Sequence, residues 1–151
     1  MAIRNIVKIG DDVLRKICRS QLTFDDKLAM ILDDMAETMY KANGVGLAAN
    51  QVGVLRRIVV IDTDDNLIEL INPEVVKTSG TQTGQEGCLS FPGKFGDVTR
   101  PNVVTVRAQD RYGKEFEIKG KELLARAFCH ETDHLDGKVF VDLAKGLHTE
   151  K

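Results

Sequence analysis

Residues 123–137 read LLARAFCHETDHLDG. Within them His130-Glu131-Thr132-Asp133-His134 fits the pattern H-E-x-x-H. Two histidines four residues apart on a helix differ by about 40° around its axis, so they share a face. Both imidazoles can then reach one ion. Glu131 sits about 100° further round, too far to be an equal ligand but placed to take a proton from water held by such an ion. The flanking pattern supports the helix. Leu123, Ala127, His130 and His134 recur at i, i+4, i+7 and i+11, with Leu124, Phe128, Glu131 and Leu135 as the adjacent stripe. This spacing predicts one broad, mostly apolar face turned to the core, and Gly137 is the predicted stop. On these residues alone two readings stay open: a metal site, and a pair of satisfied core histidines.

Upstream, Leu28, Ile31, Leu32, Met35 and Met39 recur at helical spacing, so residues 26–42 read as an amphipathic helix. Asp25 or Thr23 is its cap, Asn43-Gly44 its end, and the methionine stripe reads as core. Residues 11–17 are expected to make a short helical turn. Residues 57–62 (RIVVID) and 67–72 (LIELIN) read as strands, Pro73 punctuates, and Glu74–Thr78 reads as a further strand. Residues 79–87 (SGTQTGQEG) read as a polar, glycine-rich loop. Residues 102–109 and 115–119 read as a hairpin turning at Asp110–Lys114. Strands thus cluster between an early helix and a late one. The expected fold is α+β, with largely antiparallel β-sheets packed around the C-terminal metal-binding helix and an N-terminal amphipathic helix.

The 151 residues suit a single domain, 1–151, and show no internal repeat or linker. Hydrophobic residues at 42% and charged residues at 29% fit an ordinary globular protein. The formal net charge of −2 gives no footprint for nucleic acid. No apolar run approaches about 20 residues, so no membrane span is expected. The N-terminus MAIRNIVKIGDD lacks the apolar core of a signal peptide, and the expected location is the cytoplasm. Cys18, Cys88 and Cys129 form no even disulfide framework there, so each reads as a metal ligand or a buried thiol.

Three stretches are candidates for chemistry: GVGLAANQ at 44–51, EGCLS at 86–90 and HETDH at 130–134. The first, by itself, is a tight loop of small residues, or a place where Gly44 and Gly46 let the backbone approach a ligand. Together the three match the motif signature of peptide deformylases, and the chain resembles that family over almost its whole length. GDDVLRK at 10–16 also looks like the family's N-terminal segment, with Asp12 where proline is common.

The resemblance implies a metal-dependent hydrolase that removes the formyl group from N-formyl-Met nascent peptides and releases formate. It implies Cys88 as third ligand beside His130 and His134, leaving one tetrahedral position open, as in a catalytic site. The ion implied is Fe2+, with Zn2+, Ni2+ or Co2+ as substitutes. Glu131 is implied as the proton shuttle, with the Gln51 side-chain amide and the Leu89 N–H as oxyanion donors. Gly44 and Gly46 backbone groups would pair with the substrate like an added strand. Val45, Leu123 and Ala127 match the pocket for the methionine side chain.

Around this set, Glu86 is expected to brace the site by pairing with a buried arginine. Asp133 reads either as a partner for a histidine N–H or as a solvated helix residue. Cys129, where glutamine is common in the family, is expected to face away from the ligands. His148 reads as an exposed tail residue. Only 17 residues follow His134, too few for the long C-terminal helix with which some relatives dock on ribosomes, so the ribosome is expected at most as a transient partner. Other readings are a zincin-like peptidase with its third ligand at Asp136, Asp142 or His148, a non-catalytic metal module, and an inactive homologue.

Overall fold

The computed structural model describes residues 2–149, the side chains of His148 and Thr149 excepted. Helix α1 spans Asp26–Lys41 and helix α2 spans Leu123–Leu135. Strands β1 (Gly46–Ala48), β2 (Ile58–Ile61), β3 (Ile68–Ser79), β6 (Val103–Gln109) and β7 (Glu115–Lys121) form a five-stranded sheet in that order. Strands β4 (Gln82–Cys88), β5 (Phe91–Arg100) and β8 (Lys145–Thr149) form a three-stranded sheet. Every strand pairing is antiparallel.

The large sheet is covered on both faces, which explains why β2 is apolar throughout. Alternate side chains of a strand point to opposite faces. Ile58 and Val60 pack with Leu28, Leu32, Met35 and Met39 of α1. Val59 and Ile61 pack on the other side with Ala125, Phe128 and Leu135 of α2. The methionine stripe is core, as expected: Met35 and Met39 are wholly buried. Asp25, not Thr23, caps α1, its side chain accepting the Leu28 N–H at 3.1 Å. Among the described residues no helix is long and apolar enough to cross a membrane.

The structure corrects the sequence reading in four places. Residues 68–79 are one strand, not two. Asn72 takes a φ of 53°, the register slips between Ile71 and Glu74, and the ladder then resumes beyond Pro73. The expected loop at 79–87 is mostly strand β4. In β4 only Glu86 is buried, so no apolar alternation marks it, and pairing with β5 creates it. The small-residue stretch at 44–51 contains the edge strand β1 and a 3-10 turn at Ala49–Val52. The tail is backbone-paired to β5 as β8. The His148 side chain lies outside the described residues.

Candidate active site

Three segments distant in sequence meet at one end of α2. Cys88 closes β4, and Leu89-Ser90 make the two-residue turn into β5. Gln51 lies in the 3-10 turn after β1. His130, Glu131 and His134 project from α2 and are all buried. Ligand atoms of Cys88, His130 and His134 lie within 4.8 Å of one another, and His134 Nε2 is 3.2 Å from Cys88 Sγ. His130 Nδ1 is 3.0 Å from Glu86 Oε1 and donates to it, which turns its Nε2 toward the cluster. A thiol and two imidazoles are ligands that suit zinc or ferrous iron. Burial is the main cause that pushes His134 well below the usual histidine range, toward the neutral form that ligates.

Glu131 lies beside this cluster but outside it. Its Oε1 is buried without a hydrogen bond among the described residues. Burial pushes its carboxyl up to about 7, against the pull of the His130 charge. A group that titrates near neutrality can both take and return a proton. Gly46 is what admits it. A Cβ on Gly46 would stand 2.5 Å from Glu131 Oε2, and one on Gly44 would stand 2.6 Å from Leu89 Cδ1. Neither glycine has a positive φ, so what a Cβ would disturb there is the close approach of these side chains and not a turn.

The Gln51 side chain is fixed at both ends. Its Oε1 accepts the Ala48 N–H at 2.9 Å, and its Nε2 donates to Ser90 Oγ at 3.1 Å and faces Cys88 Sγ at 3.4 Å. Gly44, Val45, Gly46, Cys88, Leu89, Leu123, Ala127, His130 and Glu131 all line one cleft of about 500 Å3. Leu123 and Val45, at 50% and 45% exposure, stand at its surface, so the apolar face of α2 is not wholly buried. The described cleft lining includes neither Gln51 nor His134, which sit behind it.

Glu86 anchors the site to the small sheet. Its carboxylate accepts Arg100 Nε at 3.1 Å and Arg100 Nη2 at 3.0 Å, together with Arg126 Nη1 and His130 Nδ1. Burial alone would push this carboxyl up. The hydrogen bonds from His130 and Arg100, with their charge, outweigh it and hold the carboxyl down at about 2. Arg126 also donates to Val98 O at 3.1 Å. Its place in the site was not anticipated, although it lies four residues before His130, one turn up the ligand face. Asp133 fits neither expectation: it accepts Arg100 Nη1 at 2.6 Å and, among the described residues, makes no hydrogen bond to a histidine. Cys129 packs against the core cluster between α2 and the large sheet. Asp136 pairs with Arg57 and Asp142 with Arg15, so neither joins the cluster as the third ligand a zincin-like site would need; the third candidate, the His148 side chain, lies outside the described residues.

Replacing Glu86 with alanine would leave the buried Arg126 guanidinium without a carboxylate and Arg100 with Asp133 alone, at a cost of about 3–5 kcal/mol. The melting temperature should drop by roughly 10 °C at neutral pH. The folded carboxyl is depressed from 4.5 to about 2. Its stabilisation is therefore fully present above pH 4.5 and is lost as pH falls toward 2. The gap between wild type and Glu86→Ala should narrow across that window in thermal melts. A gap that does not change with pH would contradict the assignment.

The polypeptide deformylase family model matches residues 3–150. A peptide deformylase of Thermoanaerobacter pseudethanolicus is 58% identical over 144 residues, covering 95% of this chain and 91% of that one. The crystal structure of a peptide deformylase from Legionella pneumophila superposes with a TM-score of 0.92 at 48% identity, covering 96% of this chain and 88% of that one. That of Thermotoga maritima does so with a TM-score of 0.94 at 38% identity, covering 96% and 99%. With sequence and backbone both matched over nearly the full length, the chain belongs to the peptide deformylase family, metal-dependent enzymes that remove the N-formyl group from newly made polypeptides.

Proposed function

We propose that residues 1–151 act as one catalytic domain in which Cys88, His130 and His134 hold a single divalent ion and Glu131 moves the proton in hydrolysis of the formyl-methionine amide. The observation that carries this reading is the convergence of one thiol and two imidazoles beside a buried carboxylate that has an oxygen to spare. Three ligands leave a tetrahedral position for water or substrate. When bound, the ion supplies a Lewis acid and lowers the pKa of water from about 15.7 toward about 7. Fe2+ is the proposed ion, with Zn2+, Ni2+ or Co2+ as substitutes.

The residues divide the rest of the work. Glu131 takes the proton of the attacking water and hands it to the departing amine, so formate and a free N-terminus leave together. The Gln51 Nε2 and the Leu89 N–H donate to the oxyanion; the bond from Ala48 N–H to Gln51 Oε1 holds that amide in place beforehand. The outer edge of β1 offers backbone groups to the substrate, supported by its place at the end of the sheet. Val45, Leu123 and Ala127 bound the space for the methionine side chain. Such substrates place the enzyme in the cytoplasm, with at most a transient contact with the ribosome.

Formate release from a formyl-Met peptide, set beside cleavage of an unformylated internal peptide, tests the reaction. Only the first should be observed. If Fe2+ is the working ion, the iron-loaded enzyme should lose activity in air through oxidation of the metal or of Cys88, and the nickel-loaded enzyme should outlast it severalfold. Equal rates of loss would reject iron oxidation as the cause.

A further inference from the structure

The net charge of −2 conceals a local excess of the opposite sign. Residues 15–19 (RKICR) and 53–56 (GVLR) run side by side. Backbone bonds lock them together: Arg19 N–H donates to Leu55 O at 3.0 Å, and Arg57 N–H to Arg19 O at 2.8 Å. Arg19 and Arg56 form a parallel bridge. Bridged residues send their side chains to the same face, so the bridge sets two cations beside each other, which destabilises a pair that nothing neutralises. The two segments border a groove of about 770 Å3 lined also by Arg15 and Lys16.

Arg15 is neutralised by Asp142 at 2.6 Å, and neighbouring Arg57 by Asp136 at 2.9 Å. Lys16, Arg19 and Arg56 are exposed and make no ion pair among the described residues. The groove shares no lining residue with the active-site cleft, so both can be occupied at once.

We propose that this groove is a second binding site and that it takes the phosphate backbone of a structured RNA. The guanidinium fork matches phosphate oxygens two at a time. Three unneutralised cations on two segments joined at one bridge suit a ligand of repeating charge better than a single small anion. No aromatic side chain lines the groove, so it offers no stacking platform and contacts the backbone without reading bases. The choice of RNA among polyanions rests on the deformylase reading, because nascent peptides emerge from a particle built of RNA.

Anisotropy of a labelled short RNA duplex, titrated with the protein between about 50 and about 200 mM salt, tests this. Three phosphate contacts predict a logarithmic salt slope of about two to three. Arg19→Glu with Arg56→Glu should weaken binding about tenfold or more and lower the slope by about two. Lys16→Glu alone should lower it by about one. Lys119→Glu with Lys121→Glu makes the same change in net charge on β7, and binding should stay within about twofold of wild type. All these variants should release formate from a short formyl-Met peptide at the wild-type rate.

The proposal is overturned if wild-type protein shows no salt-dependent RNA binding. It is equally overturned if both double variants lose binding alike, or if anionic phospholipid vesicles are bound and RNA is not. Absence of formate release by wild-type protein would defeat the deformylase reading instead, and the RNA titration would still report on the groove.

Discussion

Glu131→Gln should keep its fold, its ion and its affinity for a formyl-Met peptide while turnover falls by about 10²–10⁴-fold. Glutamine preserves size and much of the hydrogen bonding but cannot accept the proton. The Glu131 carboxylate faces Gly46 and leaves Oε1 without a hydrogen bond among the described residues, so the amide meets little new conflict in the folded protein. The loss should be seen in kcat, because the proton transfer matters in the transition state and not in substrate binding. Metal content has to be measured on the same preparation as the kinetics, since a variant that had lost its ion would be slow for another reason. A variant with full metal and near-normal kcat would show that another group takes the proton.

Cys88→Ala should lose the ion. Replacing partners that merely orient metal ligands costs about 10–100-fold in affinity, and removing one of only three ligands should cost more than about 100-fold. Activity should fall with occupancy. The fold should survive, because Gln51 keeps its bonds to Ser90 and Ala48 and the turn at Leu89-Ser90 remains closed by the Cys88–Phe91 backbone pair. Elemental analysis decides: full metal content in purified Cys88→Ala protein would remove Cys88 from the ligand set.

Much of this site is legible in the amino-acid sequence. The spacing of His130 and His134 puts both on one face of α2, and the apolar stripe beside them predicts that the face is buried. Helical geometry carries that inference from sequence to space without help from the rest of the chain. The same holds for α1, whose stripe from Leu28 to Met39 is core. Cys88 is different. Nothing local ties EGCLS to histidines more than 40 residues away, and Cys88 enters the candidate ligand set through the likeness of three motifs to a family.

Other features were decided by tertiary structure alone. Strand β4 carries glycines and polar residues and buries only Glu86, so its state depends on pairing with β5. The continuity of β3 through Pro73 depends on a bulge at Asn72, whose side chain is held by Gln21 and Gln109. The junction of Glu86, Arg100, Arg126 and Asp133 links two strands and a helix; each charge is tolerated in the interior only because the others are there. The cationic groove is invisible in a net charge, because charge becomes a field only when the fold sets Arg19 beside Arg56. Sequence by itself determined the periodic elements and the ligand pair, because those follow from backbone geometry within one segment. Burial of polar and charged groups belongs to the tertiary structure, because its free energy depends on partners from other segments.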